Sequence, residues 1–434
     1  MATPTLMIAA PGSGSGKTTV TLGILRALKR SGMEAGSFKV GPDYIDPGFH
    51  QAASGRVCFN LDGWAMRPET LEHLYLRACF EADLVVGEGV MGLFDGSGAG
   101  TGSTADLAAA LEAPVILVVD AAAQAGSAAA LVHGFATWRA DVRVAGVIFN
   151  RVGSDAHETL LREACEPLDL PVLGCLRRDP GLVLAERHLG LVQAREHGDL
   201  EGFIDRAADA IEKAIDLDAL KALAISPPIG TEERLPAYVP GQRIAIAHDA
   251  AFTFTYPHLL RDWRAAGAEV YPFSPLNNER PDFSVDACYL PGGYPELYAG
   301  QLAAAETFKE GMQSLAGGGR QVIGECGGYM VLGRGLVDRE GTRHEMCGVL
   351  DLECSFEERK LHLGYREVRL LIDCPLGKAG LRMRGHEFHY ATIQSEKTDK
   401  PVFSVKDAKG KSMGRMGQRR RNVIGSFIHI IDHI

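Results

Sequence analysis

Short apolar runs recur along the chain, each closed by a polar or glycine-rich turn and each followed by a longer stretch with helical spacing. Residues 6–10 read as a buried strand; beyond a Gly/Ser turn, Leu22, Leu25 and Leu28 fall on one side of a helix. The rhythm continues with strands at 38–40, at a run ending on Glu88, at 114–120, at 144–150 and at 171–176. Residues 127–137 and 201–223 carry helical patterns. Apolar strands alternating with helices predict a parallel, doubly wound α/β sheet. Pro227, Pro228, Gly230, Pro236 and Pro240 then mark a linker. The strand–helix rhythm restarts at Arg243 and runs through strands at 267–274, 287–290 and 321–323 to a late strand around His429. The pattern therefore predicts two α/β domains, 1–225 and 242–434, joined by a linker over 226–241.

The bulk numbers narrow the class. A length of 434 residues suits two or three domains. Apolar content of 46% and charged content of 23% are those of a globular protein in water. A formal charge of −10 argues against general nucleic-acid binding. Nine cysteines without Cys-x-x-Cys spacing point to a reducing cytoplasm. The apolar start lacks a basic leader and is used as a strand, so no signal peptide is expected. No run of eighteen apolar residues exists to span a membrane.

The first chemical signal is Gly12-Ser-Gly-Ser-Gly-Lys-Thr-Thr19, between the first strand and its helix. This is the setting of a phosphate loop: backbone N–H groups freed by Gly14 and Gly16 point at phosphate oxygens, and the helix start adds positive potential. Lys17 would reach the β- and γ-phosphates of ATP, Thr18 would hold Mg²⁺, and Thr19 follows in the same turn. Pro11 replaces the first glycine of the strict pattern, so the loop is a variant. Beyond the second strand, Lys39, Asp43 and Asp46 stand where a ligand crevice forms, facing phosphates, a metal or a substrate; the alternative is a turn whose carboxylates cap backbone amides. Glu88 ends its strand where a second Mg²⁺ ligand belongs, with Asp95 farther out. Asn150 either reads a nucleotide base or closes a turn, and Ser103 or Thr104 caps a helix.

In the second half, Cys326 sits between a strand and a helix, flanked by Gly324, Gly327 and Gly328. That is the cysteine form of a nucleophile elbow, in which the helix start is expected to lower the thiol pKa. Gly292 and Gly293 form a tight turn whose amides, with that of Gly327, could make an oxyanion hole. A cysteine nucleophile needs a histidine base, and His429, His386 and His389 are the candidates. His386-Glu-Phe-His389 is one residue too short for the helical zinc pattern and alternates like a strand. Lys406, Lys409, Lys411, Arg415, Arg419, Arg420 and Arg421 read as a solvated loop, or as a patch attracting a polyanionic substrate.

One half can spend ATP and the other can hydrolyse an amide, which together suggest moving nitrogen from glutamine to a carboxylate. The stretches Phe38-Lys-Val-Gly-Pro-Asp-Tyr-Ile-Asp46, Glu88-Gly-Val-Met-Gly-Leu-Phe-Asp95, Leu290-Pro-Gly-Gly-Tyr-Pro-Glu296, Gly324-Glu-Cys-Gly-Gly-Tyr-Met330 and Gly385-His-Glu-Phe-His-Tyr390 resemble the cobyrinic/hydrogenobyrinic acid a,c-diamide synthases of cobalamin biosynthesis. The resemblance implies an N-terminal dethiobiotin-synthetase-like P-loop ATPase domain and a C-terminal class I glutamine amidotransferase domain. It implies two amidations, of the c and a side chains of a corrinoid, using Mg-ATP and L-glutamine. Cys326 is then the nucleophile, activated by His429; Lys17, Thr18 and Glu88 handle MgATP; and Asp43 and Asp46 lie at the ATP–substrate crevice. The wider class I pattern places Glu two residues after the histidine, where this chain has Ile431; Asp432 comes one residue late and on a regular strand would face the other way. This branch is thus expected to work with a Cys–His pair. Gly100-Thr-Gly-Ser-Thr-Ala-Asp-Leu107 and the ending Gly425-Ser-Phe-Ile-His429 look like the hydrogenobyrinate enzymes, favouring the cobalt-free ring. The rival functions are amidation of other corrin side chains, as in cobyric acid synthases, and a MinD-like scaffold ATPase. The latter carries a second lysine where this chain has Gly12. A homodimer is compatible with either function.

Overall fold

The computed structural model describes residues 3–98, 100–184, 186–187, 190–228, 230, 238–397 and 400–434. Two compact units emerge, residues 1–64 with 68–234, and residues 65–67 with 235–434. Of the expected linker, 229 and 231–237 lie outside the described residues.

In the first unit seven strands form one sheet in the order Phe59–Leu61, Ala35–Val40, Leu84–Glu88, Thr5–Ala9, Val115–Asp120, Val144–Val152, Val172–Arg177. Every pairing is parallel. Thr5–Ala9 and Leu84–Glu88 are buried at every position, which their unbroken apolar runs require of strands covered on both faces. From Thr5–Ala9 the chain winds to one side, returns through Leu84–Glu88, then winds to the other. That reversal opens a crevice at the carboxyl ends of these two strands. Helix Lys17–Arg30 buries Val20, Leu22, Ile24, Leu25 and Leu28 and packs on helix Leu200–Ala214. Arg26 closes the rim with bonds to Asp205 at 2.8 Å and Glu201 at 2.7 Å. The expected single helical stretch over 201–223 is instead two helices, Leu200–Ala214 and Leu217–Leu223. Ile215 breaks it by bridging to Gly174 of the sheet, and Asp216 caps the second helix through the Ala219 N–H.

The second unit centres on a ten-stranded sheet. Its first five strands, Glu269–Phe273, Arg243–Ala247, Ala287–Leu290, Gln321–Glu325 and Val423–Ser426, pair in parallel. Five antiparallel strands continue it: Ser412–Arg420, Pro401–Asp407, His362–Leu370, Arg382–His389 and Ile428–His433. The basic run expected as a loop lies on the hairpin of Pro401–Asp407 and Ser412–Arg420 and its flanks. Val402, Phe403 and Val405 are buried, while Lys406, Lys409, Lys411, Arg415, Arg420 and Arg421 are exposed. An antiparallel pair can bury part of its side chains and leave charges in water, so a charge-rich stretch need not be a loop. Among the described residues no helix is long and apolar enough to cross a membrane.

Helix Gly327–Leu332 is buried throughout and lies close against the Ala287–Leu290 strand. A Cβ on Gly328 would stand 2.0 Å from the Leu290 carbonyl oxygen, a backbone atom that cannot swing away. Gly328→Ala should therefore lower the stability of the second unit by about 1–3 kcal/mol, as overpacking does. Denaturant unfolding followed by the fluorescence of the buried Trp263 checks this; an unchanged midpoint would contradict the close packing.

Candidate active sites

The first site forms where strand Thr5–Ala9 gives way to helix Lys17–Arg30. Gly14 and Gly16 adopt φ of 77° and 89°, the left-handed backbone a phosphate-cradling turn needs. Gly16 is also crowded: a Cβ there would lie 2.2 Å from Asn150 Nδ2. The Asn150 amide donates to the Ser15 carbonyl at 2.9 Å and accepts from the Arg151 N–H at 2.9 Å. Asn150 thus braces the loop from strand Val144–Val152, two strands away in the sheet, a third role beside the base reader and the turn residue. Thr19 bonds to the Leu182 carbonyl at 3.4 Å. The Lys17 ammonium donates to the carbonyls of Met91 at 2.6 Å and Gly12 at 3.2 Å.

Behind the loop lies a buried charge cluster. Strand register sets Lys39 beside Glu88 and Ile8 beside Glu88. The Lys39 ammonium reaches Glu88 Oε1 at 2.8 Å and Asp46 Oδ2 at 2.6 Å. Thr18 donates to Glu88 Oε1 at 2.8 Å and stands 3.4 Å from Asp46 Oδ2. His50 Nε2 meets Glu88 Oε2 at 2.6 Å. Burial opposes the charge of Glu88, but Lys39 and His50 outweigh it and hold the carboxyl well below its usual range. Burial also opposes the charge of Lys39; Asp46, Glu88 and Asp43 hold it protonated. Asp43 and Asp46 split the two expected roles. Asp43 accepts from the N–H groups of Ile45 and Asp46, a turn cap, while Asp46 joins the cluster. Asp95 braces its own loop through the Gly92 N–H at 2.9 Å.

The second site is built on Cys326, whose φ of 48° and ψ of −105° give the strained backbone of an elbow between strand Gln321–Glu325 and helix Gly327–Leu332. Its N–H donates to the Ser426 carbonyl at 2.8 Å, which ties the elbow to the turn leading into strand Ile428–His433. His429 lies on that strand. A Cβ built on Gly292 would be 2.4 Å from His429 Cε1, 3.1 Å from His429 Nε2 and 3.2 Å from Cys326 Cβ, so the imidazole and the elbow both press on Gly292 and leave no room there for a side chain. A Cβ on Gly327 would be 3.1 Å from Gly293 N, so Gly292, Gly293 and Gly327 lie close together beside Cys326. Burial pushes the Cys326 thiol well above its ordinary range, with Glu296 adding to it; the Gly327 N–H works the other way and loses. The lowered thiol pKa expected from the helix start is thereby overturned: desolvation of a fully enclosed sulfur exceeds what one backbone N–H returns. Burial, then the neighbouring His386 and His389, pull His429 down to about 3. His429 is therefore neutral, and the burial that keeps it so also makes it a weaker base.

His386 and His389 lie on strand Arg382–His389, as their alternation predicted. The donor atoms of His362, Glu387 and His389 are close enough to hold an ion. Glu387 is already paired with Arg366 at 2.7 Å and with His389 at 3.1 Å, so the cluster balances without one. Asp432 departs from the strict alternation expected of it. The ladder to Arg382–His389 matches Asp432 with Arg384 and Ile430 with Gly385, leaving Ile431 as a one-residue bulge. The Asp432 carboxylate goes to Arg67, through Nη2 at 2.9 Å, Nε at 3.1 Å and the backbone N–H at 3.0 Å.

Two buried polar residues escaped the sequence reading. His50 stands four residues after Asp46 on helix Asp46–Ser54, and that spacing put both on one helix face. Glu325 ends the buried strand Gln321–Glu325 one residue before Cys326, and an acid in such a place was itself a signal.

The cluster has a consequence for phosphate binding. Burial, then the Lys39 cation, lower the Lys17 ammonium to about 8, against Glu88, Asp46 and Asp95. Binding of a polyphosphate requires the charged form. Affinity for ATP should be level below about pH 8 and fall above it, by up to about tenfold per pH unit. Calorimetric titration between pH 6.5 and 9.5 checks this; a level affinity across that range would contradict it.

Residues 6–192 match the family profile described as the CobQ/CobB/MinD/ParA nucleotide binding domain. Residues 243–433 match the CobB/CobQ-like glutamine amidotransferase domain. Whole-chain relatives include the hydrogenobyrinate a,c-diamide synthase of Rhizobium meliloti, 57% identical over 430 residues, which covers 98% of this chain and 99% of that one. Those of Agrobacterium fabrum and Brucella anthropi are 53% identical over 431 residues and 55% over 429, covering 98% of this chain and 98% of each relative. With a phosphate loop in one unit, a Cys–His elbow in the other and this likeness from end to end, the chain belongs to the hydrogenobyrinate a,c-diamide synthase family.

Proposed function

We propose that the protein amidates the a and c side-chain carboxylates of hydrogenobyrinate, spending ATP and taking nitrogen from L-glutamine in the cytoplasm. The observation that carries this is that His429 and Cys326 both crowd Gly292, the latter on a strained elbow, in a chain that also holds a phosphate loop. His429, held neutral, takes the thiol proton as Cys326 attacks the glutamine carboxamide. The N–H groups of Gly293 and Gly327, beside Gly292, are the donors for the oxyanion. Ammonia leaves, and water releases glutamate from the thioester.

A free carboxylate is a poor electrophile, so the other unit first makes it an acyl phosphate. Gly14, Gly16 and Lys17 hold the nucleotide phosphates, and Lys39 keeps a fixed positive charge where the phosphoryl group passes. Asp46 and Asp43 border the carboxylate to be activated. Glu88 and Asp46 already converge on a cation, the Lys39 ammonium, and the Thr18 hydroxyl adjoins both carboxylates, a set of hard oxygen donors that fits Mg²⁺. The ion, when bound, neutralises phosphate charge. Ammonia then displaces the phosphate. Nine unpaired thiols, with no disulfide, accord with the reducing compartment.

Cys326→Ala should lose glutaminase activity by more than about 10³-fold. It should still make the diamide when given ammonium salts, ATP and Mg²⁺. Mass spectrometry of products from the metal-free and the cobalt-containing ring decides the substrate. Two amide additions on the metal-free ring are expected; glutamine hydrolysis that survives in Cys326→Ala, or no amidation of either ring, would overturn the proposal.

A further inference from the structure

We infer that Glu325 is the positioning carboxylate of the glutaminase site, orienting His429 through Nδ1 in place of the acid that other class I enzymes carry two residues after the histidine. This rests on the assignment of Cys326 and His429 as nucleophile and base. The usual position holds Ile431, which is the bulged residue, and the next acid, Asp432, is consumed by three bonds from Arg67. Glu325 comes from the other direction. Its Oε2 lies 3.8 Å from His429 Nδ1, with both side chains buried. Its Oε1 accepts from the N–H of Ile430, the residue after His429, at 3.3 Å. Tyr289 fixes the same carboxylate, donating its hydroxyl to Oε2 at 2.7 Å.

The geometry follows from the elbow. On a regular strand, residues 325 and 326 would face opposite ways. The left-handed turn at Cys326 redirects the chain, so the Glu325 carboxylate stands on the Nδ1 edge of the imidazole, while the Nε2 edge turns to Gly292, which Cys326 Cβ also adjoins. Those are the two edges that a nucleophile and an orienting acid must occupy. A shift of about 1 Å would bring Nδ1 and Oε2 to hydrogen-bond length, the kind of closure ligand-free sites undergo. The other ionisable groups around His429 are His386, His389 and Glu387, and Glu387 is already held by Arg366 and His389. A structural brace alone would not need a carboxylate here: an apolar residue could fill a buried strand position without the cost of desolvating an acid.

The experiment compares glutaminase kinetics of the full chain with those of Glu325→Gln and Glu325→Asp. Glu325→Gln should lower kcat by about 10²- to 10⁴-fold, as loss of a triad carboxylate does, with KM for glutamine within about threefold. Glu325→Asp should recover at least about tenfold of that loss. A kcat for Glu325→Gln within about twofold of the parent would overturn the inference while leaving the glutaminase itself intact. A parent without glutaminase activity would overturn both. Should Glu325→Gln not fold, nitrogen-15 NMR of the parent's histidines gives an independent answer, with His429→Gln identifying the signal. The proton on Nδ1 supports the inference, and a proton on Nε2 overturns it.

Discussion

Glu88 carries a charge with no water to share it, and the first unit is arranged to make that tolerable. Taking one ion out of water costs several kcal/mol, and only close partners return it. Three side chains do so, each from a different element: Lys39 from the adjacent strand, Thr18 from the helix after the phosphate loop, and His50 from helix Asp46–Ser54. The parallel register makes this possible, because Lys39 and Glu88 are direct ladder partners at the strand ends. Loop, crevice and helix are therefore fastened to one carboxylate. A network so closely matched keeps its donors and acceptors in place before any ligand arrives, and preorganised charge is what a phosphoryl transfer uses.

The second unit solves a related problem by backbone shape. Cys326 holds a conformation that non-glycine residues avoid, and small neighbours at 324, 327, 328 and 292 let the surrounding strands close on it. The thiol is left buried and protonated, so under the proposed function reactivity would belong to the pair with His429 and not to the sulfur alone. A cysteine of that kind is protected from stray oxidation until substrate and base act together.

Much of this was legible in the chain. The phosphate loop, the strand ends at Glu88 and the Cys326 elbow are encoded locally, by glycine placement and by the change from apolar run to turn. Asp43 and Asp46 were visible as a pair but not as individuals, because which one caps a turn depends on where Lys39 points. The hairpin within the antiparallel half of the second sheet was not legible: Ser-Met-Gly-Arg-Met-Gly-Gln-Arg-Arg over Ser412–Arg420 shows no apolar alternation, and only pairing with its neighbours makes it a strand. Asp432 failed for a similar reason, since a bulge at Ile431 suspends the two-residue period that sequence patterns assume. The Cys326 thiol failed because burial is a property of the assembled fold, and it outweighed the local helix start.

Residues 65–67 belong with the second unit although they fall within the first half of the chain. Dividing the gene once, at the obvious proline-rich junction, would accordingly not yield two whole modules. A glutaminase fragment beginning at 235 would lack the guanidinium that neutralises a fully enclosed Asp432, at a cost of about 3–5 kcal/mol for a buried ion stripped of its counterpart. The second unit is thus discontinuous along the chain, and a transplant of the rear module to a new partner would have to carry that short strap with it.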